Sequence, residues 1–395
     1  MHDYEPTKMK QIPFTGIRRM MEKANKLAAE GHKIIHFEMG QPDFDTPANI
    51  KEAAKRALDQ GLTSYTSNYG IPALRNAIAD KLQRMNGLTV DPNTELMVTT
   101  GGEEAVAAAI FALAEKGDEV LVPDPGYIPY SSLIKLAEAV PVPVPLNERD
   151  NFCFDFEALE RLVSPKTKLL ILCSPGNPTG TMMSQEQLER LAAFCKEHGL
   201  LVLSDEAYEQ VLYDGNRHIS IASLPGMKER TITVQSFSKT YSMCGWRVGY
   251  LAAPPELMRI LIRAHQTVVM CACSFAQAGA AEALTGPQDS LYEMLKEFDR
   301  RRMLVYQGLL DAGIPCRKPQ AAFYVFPDIR EFGMTSVEFA DLLLDKYGVA
   351  TVGGAEFGAE GEGHLRISYA TSYEDCQEGV RRIRQCVEDL RSGRK

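Results

Sequence analysis

The chain has 395 residues, 45% hydrophobic and 24% charged, with a formal net charge of −9. That length predicts two domains rather than one core. The acidic balance, with no basic block longer than Arg300-Arg301-Arg302, argues against nucleic acid as a partner. No apolar run approaches the ~20 residues needed to span a bilayer, and Met1-His2-Asp3-Tyr4-Glu5-Pro6 lacks the apolar segment of a signal peptide. Nine cysteines are scattered, only Cys271 and Cys273 lying close together. They read as reduced core thiols of a cytoplasmic protein, and no metal site is expected.

In chain order, a helix pattern begins near Thr15, and Thr46-Pro47 is expected to open a second helix with Gly61 past its end. Residues 95–99 read as a strand leading through Gly101-Gly102 into an alanine-rich helix that runs to Leu113. Residues 120–122 form the next strand pattern, ahead of Pro123-Asp124-Pro125-Gly126-Tyr127. Residues 169–173 end at Ser174-Pro175-Gly176-Asn177-Pro178-Thr179-Gly180. Ser184 with Gln187 forms a capping box for a helix closed by Gly199. Residues 200–203 end at Ser204-Asp205-Glu206, and residues 231–235 at Ser236-Phe237-Ser238-Lys239. Short, nearly all-apolar strands between helices predict a parallel sheet covered on both faces.

From Pro255 to about Leu310 the pattern is helical. Beyond it, 321–326 and 365–369 read as longer, alternating strands, and Thr335 with Glu338 opens a helix that stops at Gly348. The glycine-rich run 358–363 has no following helix pattern and reads as a loop. The expected fold class is α/β: a large doubly wound, mostly parallel sheet domain over 48–285, and a smaller α+β domain built from 1–47 and 286–395.

In open α/β sheets, ligands sit outside the carboxyl ends of the strands. Asn177, Asp205, Ser236 and Lys239 all follow such ends, on three consecutive predicted strands, and Tyr127 and Gly101-Gly102 follow two more. Singly, each has a plain structural reading as a turn, a helix cap or a flexible corner. Together at one rim they point to a shared site. A lysine able to condense with a carbonyl when neutral, an acid, an aromatic plate, and hydroxyls with an arginine near a helix start suit pyridoxal phosphate. The acid would keep the cofactor's ring nitrogen protonated, because opposite charge favours the cationic form.

The ordered runs Gly40-Gln41-Pro42-Asp43-Phe44, Tyr65 to Arg75, Asn177-Pro178-Thr179-Gly180, Asp205-Glu206-Ala207-Tyr208, Ser236-Phe237-Ser238-Lys239-Thr240-Tyr241, Gly245-Trp246-Arg247-Val248-Gly249-Tyr250 and Leu365-Arg366-Ile367-Ser368 carry a resemblance. The chain is similar, over essentially its whole length, to class I/II aminotransferases of the pyridoxal-phosphate fold-type I superfamily, in particular aspartate-aminotransferase-like enzymes. The resemblance implies amino-group transfer from an L-amino acid to a 2-oxo acid with ping-pong kinetics. It makes Lys239 the Schiff-base lysine and proton carrier, and Asp205 the partner of the ring nitrogen. Asn177 and Tyr208 would bond the ring's phenolic oxygen, and Tyr127 would stack on its face. Gly101, Gly102, Ser236, Ser238 and Arg247 would hold the phosphate, with Tyr65 reaching a phosphate across a homodimer. Arg366 would grip the substrate carboxylate beside Gly40, with Asn177 also touching substrate and Ile17 and Tyr69 bordering the side-chain pocket.

Glu103 stands where some aspartate-preferring relatives carry a lysine, which weakens an aspartate reading, although a first-turn helix acid is the expected role. Arg18 and Arg19 are the other charged residues that could meet the substrate side chain. Relatives often show a proline within Val352-Gly353-Gly354, where this chain has none. Two alternatives share the catalytic residues or the fold: a carbon–sulfur β-lyase, which would release pyruvate and ammonia without an acceptor, and a non-catalytic effector sensor, which would need an attached DNA-binding module. A phosphate-loop hydrolase is excluded, since the chain has no Gly-Lys dipeptide.

Overall fold

The computed structural model describes residues 4–12 and 14–393. The signal-peptide reading rests partly on residues 1–3, and the outer limits of the expected small domain on 1 and 395; these positions lie outside the described residues. After a short strand β1 (Ile35–His36), the chain lays down β2 (Leu96–Thr99), β3 (Glu119–Asp124), β4 (Val140–Asn147), β5 (Cys153–Phe154), β6 (Thr167–Cys173), β7 (Leu201–Asp205), β8 (Thr231–Ser236) and β9 (Gly249–Ala252). These eight form one sheet in the order β2-β9-β8-β7-β6-β3-β4-β5. β8, β7, β6, β3 and β4 pair in parallel, whereas β9 is antiparallel to both β2 and β8. The fold is α/β.

The all-apolar strands follow from burial on both faces. Leu169 and Ile171 enter one core cluster, and Leu170 and Leu172 the other. Helix Gly101–Leu113 and helix Pro255–Val268 cover the first face. The second is covered in part by Gln185–Glu197, whose capping box of Ser184 and Gln187 makes both hydrogen bonds. Strand β4 escapes sequence reading because Pro141, Pro143 and Pro145 resemble loop residues. Their period of two puts every missing N–H on one side of the strand. That side is open until Leu146 and Asn147 meet β5, so β3 still finds its donors on the other.

Past the helices Ser274–Thr285 and Asp289–Asp311 come β10 (Tyr324–Val325), β11 (Val349–Ala350), β12 (Val352–Gly353) and β13 (Leu365–Ser368). β10, β13 and β12 make a three-stranded sheet, and β1 pairs with β11, so the two ends of the chain meet. Helix Ser336–Tyr347 carries the expected capping box of Thr335 with Glu338 and ends at Gly348 with φ +63. The amino-terminal helix is Gly16–Ala29, its Thr15 hydroxyl accepting from Arg18 N.

Two expectations are corrected. The strands at 321–326 and 365–369 are shorter than anticipated: Ala322 turns out of the extended region at φ +57, and all four residues of β13 are buried, which removes the alternation. Thr46-Pro47 does not open a helix with proline inside it. Helix Ala48–Asp59 has Pro47 at its cap, and the Thr46 hydroxyl instead donates to Ser242 O (2.6 Å) and accepts from Trp246 Nε1 (3.0 Å). Among the described residues, no helix is long and apolar enough to cross a membrane.

Candidate active site

β2, β3, β6, β7 and β8 run the same way, so their carboxyl ends share one rim. The loops beyond them line a cavity of about 240 Å³. Gly102, Tyr127, Asn177, Asp205, Tyr208, Ser236, Ser238, Lys239 and Arg247 stand around it, and Gly40, Ile17 and Arg366 are brought in from the two ends of the chain. Gly101 abuts it: at φ +81, a Cβ there would lie 2.6 Å from Arg247 Nη2. Tyr65 and Tyr69 do not line it. Tyr65 is 83% exposed, and Tyr69 packs against the core cluster with its carbonyl accepting from Val98 N.

Lys239 reaches the cavity because β8 ends in a cap. Ser236 Oγ accepts from Ser238 N (3.2 Å) and turns the chain into the single helical turn Phe237–Thr240. Nζ then donates to Gly40 O at 2.6 Å. The backbone can come this close because position 40 has no side chain; a Cβ there would collide with the Tyr324 hydroxyl.

Asp205 is the last residue of β7. Burial pushes its carboxyl up, while the Tyr130 hydroxyl (2.6 Å) and Ala207 N–H (3.2 Å) pull it back. The Tyr208 hydroxyl bonds that of Tyr324 (2.8 Å), and burial raises Tyr208 well above the usual phenol range. Burial also pushes the Cys173 thiol up to about 12, so it is a packing group rather than a nucleophile.

On the opposite wall, helix Gly101–Leu113 starts without a side-chain cap from Thr100. Its first N–H groups lie beside Ser236, Ser238 and Arg247, which together make a cradle for an anion. Arg366 is 2% exposed and has no ion pair among the described residues. Its Nη1 reaches Asn177 Oδ1 at 3.4 Å, Nη2 donates to Glu38 O, and Nε has no hydrogen-bond partner. A buried guanidinium without a counter-ion costs several kcal/mol, and an anionic ligand in the cavity would recover it.

These features fit pyridoxal phosphate: an amine, a buried acid held by the Tyr130 hydroxyl, an anion cradle and an aromatic wall at one rim. Four further residues line the cavity that sequence reading did not find, namely Tyr130, Cys173, Ala207 and Tyr324. Tyr130 lay in view, one helical turn beyond Tyr127 on Pro129–Leu136. Glu103 also lines the cavity while sitting in the first turn of its helix, and it makes no ion pair among the described residues. Arg18 and Arg19 face elsewhere, bonded to Glu22 (2.8 Å) and Asp341 (3.1 Å).

The family model "Aminotransferase class I and II" matches residues 32–383. An aspartate aminotransferase of Pyrococcus abyssi is 45% identical, over 93% of this chain and 95% of that protein. Aromatic-amino-acid aminotransferase 2 of Thermococcus litoralis is 43% identical, over 94% and 95%. The solved structure of an aromatic aminotransferase from Pyrococcus horikoshii superposes with a TM-score of 0.89 at 44% identity, covering 94% of this chain and 99% of that one. A match this long, with a superposable fold and identities well above chance, has one conclusion: the chain belongs to the class I and II aminotransferase family.

Proposed function

We propose that this cavity holds pyridoxal phosphate and uses it to move an amino group from an L-amino acid to a 2-oxo acid. The observation that carries the reading is Arg366, a buried guanidinium without a carboxylate partner among the described residues, lining the same cavity as Lys239 and Asp205. Gly101, Gly102, Ser236, Ser238 and Arg247 would hold the phosphate, Tyr127 the ring face, Asn177 and Tyr208 the phenolic oxygen, and Asp205 the ring nitrogen. When bound, the cofactor supplies the electron sink that makes a substrate Cα proton labile.

The chain's own groups do the rest. Arg366 orients the α-carboxylate with its planar fork, and Asn177 beside it limits rotation. Lys239 Nζ accepts the Cα proton and redelivers it, from a position set by the Ser236 cap and the Gly40 carbonyl. The Tyr130 hydroxyl offsets part of the upward push that burial gives the Asp205 carboxyl. We therefore expect Tyr130→Phe to lower kcat/KM by about ten- to a hundredfold, the worth of a hydrogen bond to a charged group. Without that donor the carboxyl rises further, so activity that needs the carboxylate is lost at a higher pH as pH falls. The acid limb of kcat/KM must move upward in a pH profile; a parallel drop with unchanged limbs would assign Tyr130 to packing alone.

Ile17, Tyr127 and Tyr324 beside the unpaired Glu103 favour uncharged side chains, aromatic ones included, over dicarboxylates as amino donor. Supporting this, a relative at 43% identity is named for aromatic amino acids, although one at 45% is named for aspartate. Tyr65, on the outside of the single chain, would complete the site of a second subunit, making a homodimer the working unit. Residues 1–47 and 286–395 would form the small domain that carries Ile17, Gly40 and Arg366 over the larger 48–285 unit. The nine unpaired thiols suit a cytoplasmic setting. Screening the common amino acids against 2-oxoglutarate, pyruvate and oxaloacetate tests the reading. Transfer with an aromatic donor exceeding that with aspartate supports it, and release of pyruvate and ammonia without any acceptor would replace it with a lyase.

A further inference from the structure

Away from the cavity, a cleft of about 530 Å³ is lined by Glu148, Asp155, Arg330, Glu360, Glu362 and His364. Glu148 and His364 from its lining and the neighbouring Asp328 each offer one ligand atom, all within 4.8 Å of one another. Asp328 and His364 are held side by side by an antiparallel bridge, and the imidazole is stacked on Phe326 (4.8 Å, 3° between planes), so its rotation is restricted. His364 is only 3% exposed. Its Nδ1 meets Glu362 O at 3.4 Å, while its Nε2 is buried with no hydrogen-bond partner and stands 3.6 Å from Glu148 Oε1.

A neutral imidazole here would set one nitrogen lone pair against an oxygen lone pair, at Glu148 or at Glu362, whichever nitrogen carried its proton. Arg330 satisfies the carboxylates but not the ring: Nε donates to Asp328 Oδ1 (2.9 Å), and Nη2 to Asp328 Oδ2 (2.5 Å) and Glu148 Oε2 (2.9 Å). Its side chain is 57% exposed, so it borders solvent.

We propose that Glu148, Asp328 and His364 form a site for a divalent transition-metal ion of the zinc class, with Arg330 as the cation that occupies the carboxylates when metal is scarce. One imidazole nitrogen and two carboxylate oxygens, completed by water, are a donor set zinc accepts. Bonds of about 2.0–2.1 Å at tetrahedral angles put ligand atoms about 3.3 Å apart, close to the 3.6 Å between Nε2 and Glu148 Oε1. Nδ1–H directed at a backbone carbonyl is the outer partner that ligating histidines use. A second trio, Glu206, Glu209 and His218, is equally compact, but its oxygens are already taken by Ser204, Ser220, Gln235, Lys81 and Asn86. The expectation of no metal was drawn from cysteine spacing, which is silent about ligands at 148, 328 and 364. Occupancy would tie Glu148, at the end of β4, to the strand that carries Arg366 two residues after His364.

Zinc titration of the chelator-treated holoprotein against a chromogenic competitor, with equilibrium dialysis, tests this. Wild type should take up one equivalent per chain at the site. Arg330→Gln should bind about tenfold or more tightly and show a zinc-dependent rise in its thermal midpoint. Glu148→Gln, a partly exposed position chosen because replacing buried His364 endangers folding, should lose about tenfold or more. No stoichiometric uptake by Arg330→Gln would overturn the proposal. So would uptake that Glu148→Gln leaves unchanged, since that would place the metal on the cysteines.

Discussion

Lys239→Ala is expected to reduce transamination by at least about 10⁴-fold, because under the proposed function one substitution would remove both the covalent attachment point and the group that moves the Cα proton. The purified variant should also lack the visible absorbance that covalent attachment gives the wild type. The fold should survive. The Ser236 cap that shapes this turn uses a hydroxyl and a backbone N–H, and neither belongs to residue 239. A small amine such as methylamine, added to the variant, should recover part of the proton-transfer rate, since the missing function is a base at a defined place. Rates within tenfold of wild type would remove Lys239 from the chemistry.

Arg366→Gln is expected to cost about 30- to 4,000-fold in kcat/KM for every amino acid, mostly through KM. Truncating one side of a buried charge pair costs about 2–5 kcal/mol, at about 1.4 kcal/mol per tenfold. Arg366→Lys should recover only part of this, because an ammonium cannot present two parallel N–H groups to one carboxylate. The control is an amine without a carboxylate. Its slow reaction should be unaffected by the substitution, whereas a loss equal to that of the amino acids would mean Arg366 holds the small sheet together rather than gripping substrate. Stability sharpens the contrast. The wild-type guanidinium is buried without a counter-ion, so Arg366→Gln should leave the thermal midpoint of the ligand-free protein unchanged or higher even as substrate binding fails.

Much of the architecture was legible in the sequence because burial on two faces leaves a plain mark. The strands ending near Cys173, Asp205 and Ser236 read as apolar runs followed by turn residues, and the polar residues at their carboxyl ends arrive together at one rim. What escaped reading did so for physical reasons. β4 alternates valine with proline, and only its place at an open edge makes that tolerable, which is a tertiary fact. Ala322 takes a left-handed conformation that nothing in its neighbours announces, so β10 begins later than the apolar run suggests. Thr46 was read as a helix opener from a local signal, but its hydroxyl is claimed by Ser242 and Trp246 some two hundred residues away.

The site shows the same division. Residues placed by strand ends could be located from sequence, and Lys239, Asp205 and Asn177 share the cavity. Tyr130 and Tyr324 act through partners, bonding Asp205 and Tyr208, and a hydrogen bond between residues 75 or 116 positions apart has no sequence signature. Glu103 sits in a helix's first turn and also on the cavity wall.

Borohydride reduction of the purified protein, followed by proteolysis and mass spectrometry of the peptides, addresses the core of the account most directly. The mass of the reduced cofactor should appear on the peptide containing Lys239 and on no other lysine. Its appearance on a different lysine, or its absence from protein saturated with pyridoxal phosphate, would contradict the assignment.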